Sequence, residues 1–319
     1  MFIRAEIGGD KPNAKLHIVV ADPADGTIVA DELLPAGMRK VRTEIATRAE
    51  HLWSPNDPYL YDVTATLEFG AAKSQGKQEK LQQESQEIQE KPAKSQEKQD
   101  IVRSYCAFRT VEIKPDLKGI ARFHLNGKPV FLKGVLDQGY WPDGLLTAPS
   151  DEALVHDITA MKESGFTMLR KHIKIESARW YYHCDRLGML VWQDAVSGGG
   201  EYNAWVTNRK PTLMRATWNK YRDDTAKHFA ALGADDSTYR RDWSRTCDAM
   251  VHMLAGHPSI VTWVLFNEGW GQFARAMRRN AFMRLTRRAR STPRVLVRPA
   301  LRRCSQRAQL LPSAGNLPG

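Results

Sequence analysis

Long hydrophobic runs, paired cysteines and an apolar leader are all missing from this sequence of 319 residues. The longest near-apolar run, Ile260–Phe266, has seven residues, whereas a helix needs about 20 to cross a bilayer. The N-terminus reaches charged residues at once, unlike a signal peptide. The four cysteines lie far apart and form no Cys-x-x-Cys pair. We therefore exclude a membrane protein, a disulfide scaffold and a zinc ribbon, and expect free thiols in a reducing, cytoplasmic compartment.

Acidic residues are missing from the last 46 residues, 274–319, which contain twelve Arg and no Lys, Asp or Glu. Removing those twelve from the 47 basic residues of the chain leaves 35, against 36 acidic residues, so the net charge of +11 belongs to this tail. One interpretation is a basic arm that binds nucleic acid through phosphate contacts, although Phe282 is its only aromatic residue. The other, which we favour, is an irregular tail translated out of frame from GC-rich DNA and never selected to fold.

Residues 1–115 have the pattern of a β-domain. Lys15–Val20 and Val63–Phe69 alternate in polarity or are rich in β-branched residues, and turn sequences flank them. Short strands at this spacing predict an immunoglobulin-like β-sandwich. Residues 71–100 interrupt it with a segment dominated by Gln, Lys and Glu, which we predict to be a disordered insertion. A coiled-coil segment is the alternative, but the insertion has too few apolar residues to form a seam.

From residue 116 onward, strands and helices alternate. Apolar strands are predicted at Val130–Leu136, Thr167–Ile173, Met189–Ala195 and Ile260–Phe266, with helical segments between them. This order predicts the first half of a (β/α)8 TIM barrel over residues 116–273, in which functional residues gather at the C-terminal ends of the strands. The predicted fold is therefore a multidomain β plus α/β chain, with a sandwich, a half-barrel and an irregular Arg-rich tail.

The dipeptide Asn267–Glu268 lies where the fourth of these strands ends. Burial beside Phe266 and Trp270 would raise the pKa of a carboxylic acid at this place, so that it could act as a general acid near neutral pH. The Asn amide could donate a hydrogen bond to a substrate hydroxyl. For an isolated Asn-Glu pair, however, an acid that caps the next helix is the simpler interpretation.

Five segments in the same order resemble one enzyme family. HPSIVTWVLFNEGWGQF (257–273) is similar to an acid/base segment, and HLWSPNDPYLYDVTATL (51–67) to a sandwich signature. FHLNGKPVFLKGV (123–135) is similar to the beginning of a barrel, and GFTMLRKHIK (165–174) and YYHCDRLGMLVWQDA (181–195) to its second and third strands. The family they resemble is glycoside hydrolase family 2, the group of β-galactosidases, β-glucuronidases and β-mannosidases. The resemblance implies a retaining exo-glycosidase that acts on carbohydrate, and we predict no cofactor and no bound metal.

The resemblance also implies roles for five residues. Glu268 corresponds to the catalytic acid/base, and Asn267 to the contact with the sugar 2-hydroxyl. His172 corresponds to the histidine that faces the sugar, and Arg170 to an arginine that orders the catalytic carboxylates. Asp194 corresponds to an acidic position at the rim of the pocket. A purely structural ion pair between Arg170 and Asp194 is the alternative for those two residues.

The second carboxylate of the reaction is missing. A retaining glycosidase needs a nucleophilic carboxylate about 5 Å from its acid/base, which in this family follows the seventh barrel strand. The sequence has no Asp or Glu after Glu268, and the resemblance ends after Phe273. We therefore expect an internal fragment of a glycosidase that is inactive alone. The Trp-Gln-Asp strand end and the lack of an evident carboxylate clamp favour a β-galactoside.

Two other classes of function stay open. The chain could be a carbohydrate-binding or interaction protein that kept the pocket without the chemistry. It could also be a nucleic-acid-associated protein that uses its Arg-rich tail. The sequence leaves the oligomeric state open.

If the tail is a frame-shifted product, another reading frame of the coding DNA after Phe273 should encode alternating strands and helices. These should include a strand ending in Glu roughly 70 to 100 residues beyond Glu268, from about 25–30 residues per β/α unit. Translation of the coding DNA in all frames checks this expectation. Immediate stop codons, or no carboxylate at a strand end, would instead favour a dedicated role for the tail.

Overall fold

The computed structural model describes residues 2–8, 13–37, 40–69, 100–214, 223–267, 271–274, 277–280 and 294–297. The acid/base candidate Glu268 lies outside the described residues, as do most of the Arg-rich tail and all but the last residue of the predicted insertion 71–100. Within the described ranges, no helix is both long enough and apolar enough to span a membrane.

Two sheets form the N-terminal part of the chain. The strands β2, β3, β5 and β6 form an antiparallel sheet in the order β3-β2-β5-β6, and β1 and β4 pair antiparallel in a second sheet. The six strands are β1 (Phe2–Glu6), β2 (Ala14–Ala21), β3 (Ile28–Pro35), β4 (Lys40–Glu44), β5 (Tyr61–Phe69) and β6 (Asp100–Cys106). The predicted insertion is therefore one residue too long, since Asp100 already pairs with Leu67.

One hydrophobic core joins the two sheets. Alternate residues of β2, namely Leu16, Ile18 and Val20, are buried, as the period of two in a half-buried strand requires. They belong to the same core cluster as Ala5 of β1 and Val41 of β4. The apolar faces of both sheets thus stabilise each other.

A short antiparallel sheet follows, with strands β7 (Val111–Pro115), β8 (Ala121–Leu125) and β9 (Lys128–Pro129). An Asn126-Gly127 turn joins β8 to β9, as is typical of tight hairpins. The Asn126 side chain also connects this sheet to the loop between β4 and β5, because its Nδ2 donates to the Trp53 carbonyl at 3.0 Å.

Four parallel strands in the order β10-β11-β12-β13 make the sheet that carries the candidate site. Helices lie between consecutive strands along the chain, so the C-terminal ends of the four strands meet at one edge. The elements are β10 (Gly134–Asp137), α1 (Asp151–Glu163), β11 (Met168–Lys171), α2 (Ala178–Leu187), β12 (Leu190–Asp194), α3 (Lys210–Met214), α4 (Ala226–Phe229), α5 (Ser237–Leu254) and β13 (Ile260–Val264). Ser150 is the N-cap of α1, and its Oγ accepts the Ala153 N–H at 3.2 Å.

The expectation of a wholly irregular tail is wrong for residues 294–297. These form a last strand, β14 (Arg294–Val297), which pairs in parallel with β1 from Phe2 to Ala5. The physical reason is that β1 offers an unpaired edge on the side away from β4, and Val295 and Val297 have the β-branched side chains that favour strands. The rest of the tail beyond residue 280 lies outside the described residues.

The N-terminal sheets and the parallel sheet meet around the buried carboxylate of Asp185 on α2. Its Oδ2 accepts the Tyr105 hydroxyl at 2.7 Å and lies 2.6 Å from His257 Nδ1, while its Oδ1 accepts the Ser259 N–H at 2.9 Å. Its backbone carbonyl accepts the Trp53 indole N–H at 2.8 Å. Burial, and then the Asp185 charge, raise the pKa of Tyr105 well above its usual value, so this hydroxyl stays a donor.

We expect Asp185→Ala to lower the free energy of unfolding by about 3 kcal/mol, because several buried donors lose their common acceptor. Urea unfolding followed by tryptophan fluorescence measures this loss. The matched control is Asp143→Ala, an exposed carboxylate, which should change stability by less than about 0.5 kcal/mol. Equal effects of the two substitutions would contradict a role for Asp185 in joining the sheets.

Candidate active site

The candidate site residues come from the C-terminal ends of three neighbouring strands. Arg170 lies near the end of β11 and His172 just beyond it, Asp194 ends β12, and Asn267 follows β13 by three residues. In the register of β11 with β12, Arg170 pairs with Trp192. Asp194 is two residues beyond Trp192 on the same face of the sheet, which brings its carboxylate to the Arg170 side chain.

Arg170 binds both of its neighbours. Its Nε donates to Asp194 Oδ1 at 3.0 Å and its Nη2 to Asp194 Oδ2 at 2.9 Å, which is the bidentate geometry of a strong ion pair. The same Nη2 donates to Asn267 Oδ1 at 2.9 Å. The Asp194 side chain is fully buried and that of Arg170 is 27% exposed. The predicted pair is therefore present, and it extends to Asn267.

The Asp194 carboxylate also accepts from the backbone. The Ile173 N–H donates to Oδ2 at 3.3 Å, and Ile173 has a φ of 43°. A β-branched residue with positive φ is a strained backbone conformation of a kind found at functional sites. Asn267 is held from its other side, since its N–H donates to Ser197 Oγ at 3.5 Å. Sequence reasoning missed Ser197, which carries no local motif.

His172 belongs to the same edge of the sheet. Its backbone N–H donates to the Asp137 carbonyl at 2.9 Å, and its Nδ1 lies 3.1 Å from Gln138 Nε2. Gln138 follows β10 directly and also lines a cavity of about 510 Å³ together with Trp141. Nothing in the sequence pattern singled out Gln138, because its contact with His172 spans 34 residues.

The segment that carries Glu268 is described on both sides of that residue. On the C-terminal side, the Gly271 N–H donates to the Leu232 carbonyl at 2.7 Å, and the Gly271 carbonyl accepts the Tyr239 hydroxyl at 3.1 Å. Gly271 has a φ of 63°, and a Cβ there would lie 1.9 Å from the Gly198 carbonyl oxygen. Only glycine fits this crossing, which brings the loop after β12 against the segment after β13.

Aromatic side chains near the strands mostly serve packing. Trp180 is 2% exposed, and Lys171 Nζ lies 4.1 Å from its ring centroid. Phe266, which was expected to bury the acid, stacks on Trp243 of α5 with ring centroids 4.6 Å apart. In the part of the chain that the structure describes, no group of three or more His, Cys, Asp or Glu side chains is placed to hold a metal ion.

Comparison with known proteins identifies the family of this chain. The family model "Glycosyl hydrolases family 2, TIM barrel domain" matches residues 116–296, more than half of the chain. The match starts where the α/β region was predicted to start. It extends to residue 296, so the expectation that the resemblance ends after Phe273 is wrong. The chain belongs to glycosyl hydrolase family 2, and the comparisons define it no further.

Curated relatives are similar but much longer. The chain is 26% identical over 252 residues to a β-galactosidase of Lactococcus lactis, covering 77% of this chain and 19% of that protein. It is 24% identical over 268 residues to a β-galactosidase of Lactobacillus delbrueckii, covering 84% and 22%. The chain thus spans about a fifth of the length of these curated relatives.

Solved structures share the fold. A β-glucuronidase of Bacteroides uniformis superposes with a TM-score of 0.56 at 22% identity, covering 92% of this chain and 31% of that one. A family 2 β-galacturonidase of Eisenbergiella tayi bound to galacturonate superposes with a TM-score of 0.57 at 16% identity, covering 91% and 42%. At this level of identity the likeness concerns the fold alone.

We expect Arg170→Lys to lower the free energy of unfolding by about 1–2 kcal/mol. A lysine cannot reproduce the fork, so one buried acceptor of Asp194 or Asn267 loses its donor. Arg179→Lys is the matched control, because Arg179 pairs with Asp151 at the surface and such pairs contribute little. Urea unfolding of both variants measures the difference, and equal losses would show that the Arg170 fork is dispensable.

Proposed function

We propose that this chain provides the acid/base part of a retaining exo-β-glycosidase site, with a neutral β-galactoside as substrate. The observation that carries the proposal is the Arg170–Asp194–Asn267 network, which fixes the residue directly before Glu268 at the C-terminal ends of parallel strands. In barrel enzymes of this type the chemistry takes place at that edge.

In the proposed mechanism, Glu268 protonates the glycosidic oxygen as the bond to the leaving group breaks. Asn267 accepts from Arg170 through Oδ1, which leaves its Nδ2 to donate to the sugar 2-hydroxyl. Asp194 keeps Arg170 in place and so orients Asn267. The covalent step needs a carboxylate from outside residues 269–319, because that stretch contains none.

The charges around the site support a neutral sugar. Arg170 is engaged by Asp194 and Asn267, and Lys174 pairs with Glu176 Oε2 at 2.7 Å. A uronate carboxylate would therefore lie near the negative charge of Asp194. Neither Arg170 nor Lys174 would be available to pair with it, because both are already bound. Two of the curated relatives are β-galactosidases, which supports a β-galactoside in particular.

The finer architecture is part of the same proposal. We infer an immunoglobulin-like sandwich over residues 1–115, and the first four strands of an eight-stranded barrel in β10 to β13 over residues 116–273. The antiparallel order β3-β2-β5-β6 and the parallel order β10-β11-β12-β13 support it. A cytoplasmic location is proposed from the dispersed cysteines, of which Cys106, Cys184 and Cys247 are free and buried.

A second candidate function is carbohydrate binding without catalysis. The observation that favours it is the lack of Asp and Glu after Glu268, combined with an intact network around Asn267. Both candidates require that the chain binds a sugar. They differ in whether Glu268 acts as a catalytic acid/base or has no catalytic role.

The experiment measures both binding and turnover on the full chain. Titration calorimetry should show methyl β-galactoside binding more tightly than methyl β-glucuronide. We expect Asn267→Ala to weaken that binding about tenfold, the equivalent of one hydrogen bond of roughly 1.4 kcal/mol. Asn13→Ala, at an exposed turn, is the control and should bind as the unchanged chain does.

Nitrophenyl β-glycosides should not be hydrolysed by the chain alone, because the nucleophile is missing. Hydrolysis that Glu268→Gln abolishes would contradict this expectation and point to an upstream carboxylate such as Glu201. No saccharide binding at all, with Asn267→Ala and the unchanged chain alike, would overturn both candidate functions.

A further inference from the structure

Within the described residues, Gln138 is the one side chain that hydrogen-bonds to the His172 ring, and it does so at a single ring nitrogen. The distance from Gln138 Nε2 to His172 Nδ1 is 3.1 Å. An amide N–H₂ can only donate, so with the amide nitrogen facing the ring this contact requires Nδ1 to be the acceptor, without a proton. The proton then lies on Nε2. The amide of Gln138 thereby selects which ring nitrogen of the imidazole is the donor.

The backbone next to Gln138 is held by an ion pair of the neighbouring loop. Lys174 Nζ donates to the Gly139 carbonyl at 2.8 Å and to the Leu146 carbonyl at 2.7 Å, and it pairs with Glu176 Oε2 at 2.7 Å. Both carbonyls belong to the loop that follows β10. Lys174 therefore ties the loop that carries Gln138 to the segment that carries His172.

Gly139 makes this attachment possible. Its φ is 65°, and a Cβ there would lie 2.8 Å from both Lys174 Nζ and Glu176 Oε2. Behind it, buried Lys171 pairs with Asp137 at 2.9 Å and with Glu176 at 3.2 Å. Burial alone would raise the pKa of Glu176, but the Lys174 hydrogen bond and the Lys171 charge lower it below its usual value, so the carboxylate stays charged.

We propose that Gln138 is a positioning residue that fixes His172 as the tautomer protonated at Nε2, with Lys174 and Glu176 holding the loop in place. The consequence for the site rests on the proposed function. A neutral Nε2–H donates one hydrogen bond and cannot accept one through that nitrogen. His172 would then bind a lone pair on a sugar oxygen, and it would discriminate against ligands that present only a donor there.

The test is nitrogen NMR of the sugar-free full chain labelled with ¹⁵N-histidine, with the His172 signals assigned by their loss in His172→Gln. We expect Nε2–H to predominate over Nδ1–H at His172 by about tenfold, the equivalent of one hydrogen bond. Gln138→Leu removes the amide and should shift the ratio toward that of free histidine. Gln138→Glu replaces the donor by an acceptor and should reverse the preference toward Nδ1–H.

A residue with only a structural role would not weaken the Nε2–H preference in Gln138→Leu and reverse it in Gln138→Glu. Gln138 is exposed, so both variants should fold. Lys174→Met should also mix the tautomers, and Lys174→Arg, which keeps a cationic donor, should restore the preference. An Nδ1–H tautomer in the unchanged chain, or identical ratios in Gln138→Leu and Gln138→Glu, would overturn the proposal.

The affinity for methyl β-galactoside is measured separately on Gln138→Leu. We expect it to fall about threefold to tenfold, as for part or all of one hydrogen bond. If the tautomer shifts as expected and no sugar binds any variant, the positioning role stands and the proposed function fails. If sugar binds and the tautomer does not respond to the Gln138 substitutions, the positioning role fails and the proposed function stands.

Discussion

A fully buried carboxylate, Asp194, is the constraint on which the site depends. A charge in that place is stable only if it is paired and hydrogen-bonded. Arg170 and the Ile173 N–H meet the requirement, and the latter does so through an unfavourable backbone conformation. Because Arg170 also binds Asn267, the cost of burying Asp194 is offset by contacts that bring three strand ends together.

A second layer of buried charge supports the first from the side of β10. Lys171 neighbours Arg170 in sequence and points to the opposite face of β11, where it meets Asp137 and Glu176. Because side chains alternate along β11, Arg170 lies on the side of the candidate site and Lys171 lies in the layer behind it. This arrangement links the conformation of the loop after β10, which carries Gln138, to the position of the His172 ring.

Much of the fold was predictable because local signals are strong where a strand or helix has a clear boundary. The strands predicted from Thr167 and Met189 correspond to β11 and β12, and Ser150, a residue type favoured at helix starts, caps α1. The second half of the strand predicted at Val130–Leu136 lies in β10, whereas its first half is a loop in which Phe131 is 79% exposed. Helix α5 begins at Ser237 after the cap Asp236, whose side chain accepts the Thr238 N–H.

The sequence by itself determined the alternation of strands and helices after residue 116, the family, and the residue types at the strand ends, since these depend on periodicity and motifs within short windows. Only the tertiary structure decided which side chains meet. Arg170 reaches Asn267 across 97 residues and Gln138 reaches His172 across 34. Such contacts follow from the register and order of parallel strands, which long-range packing selects and no local pattern encodes.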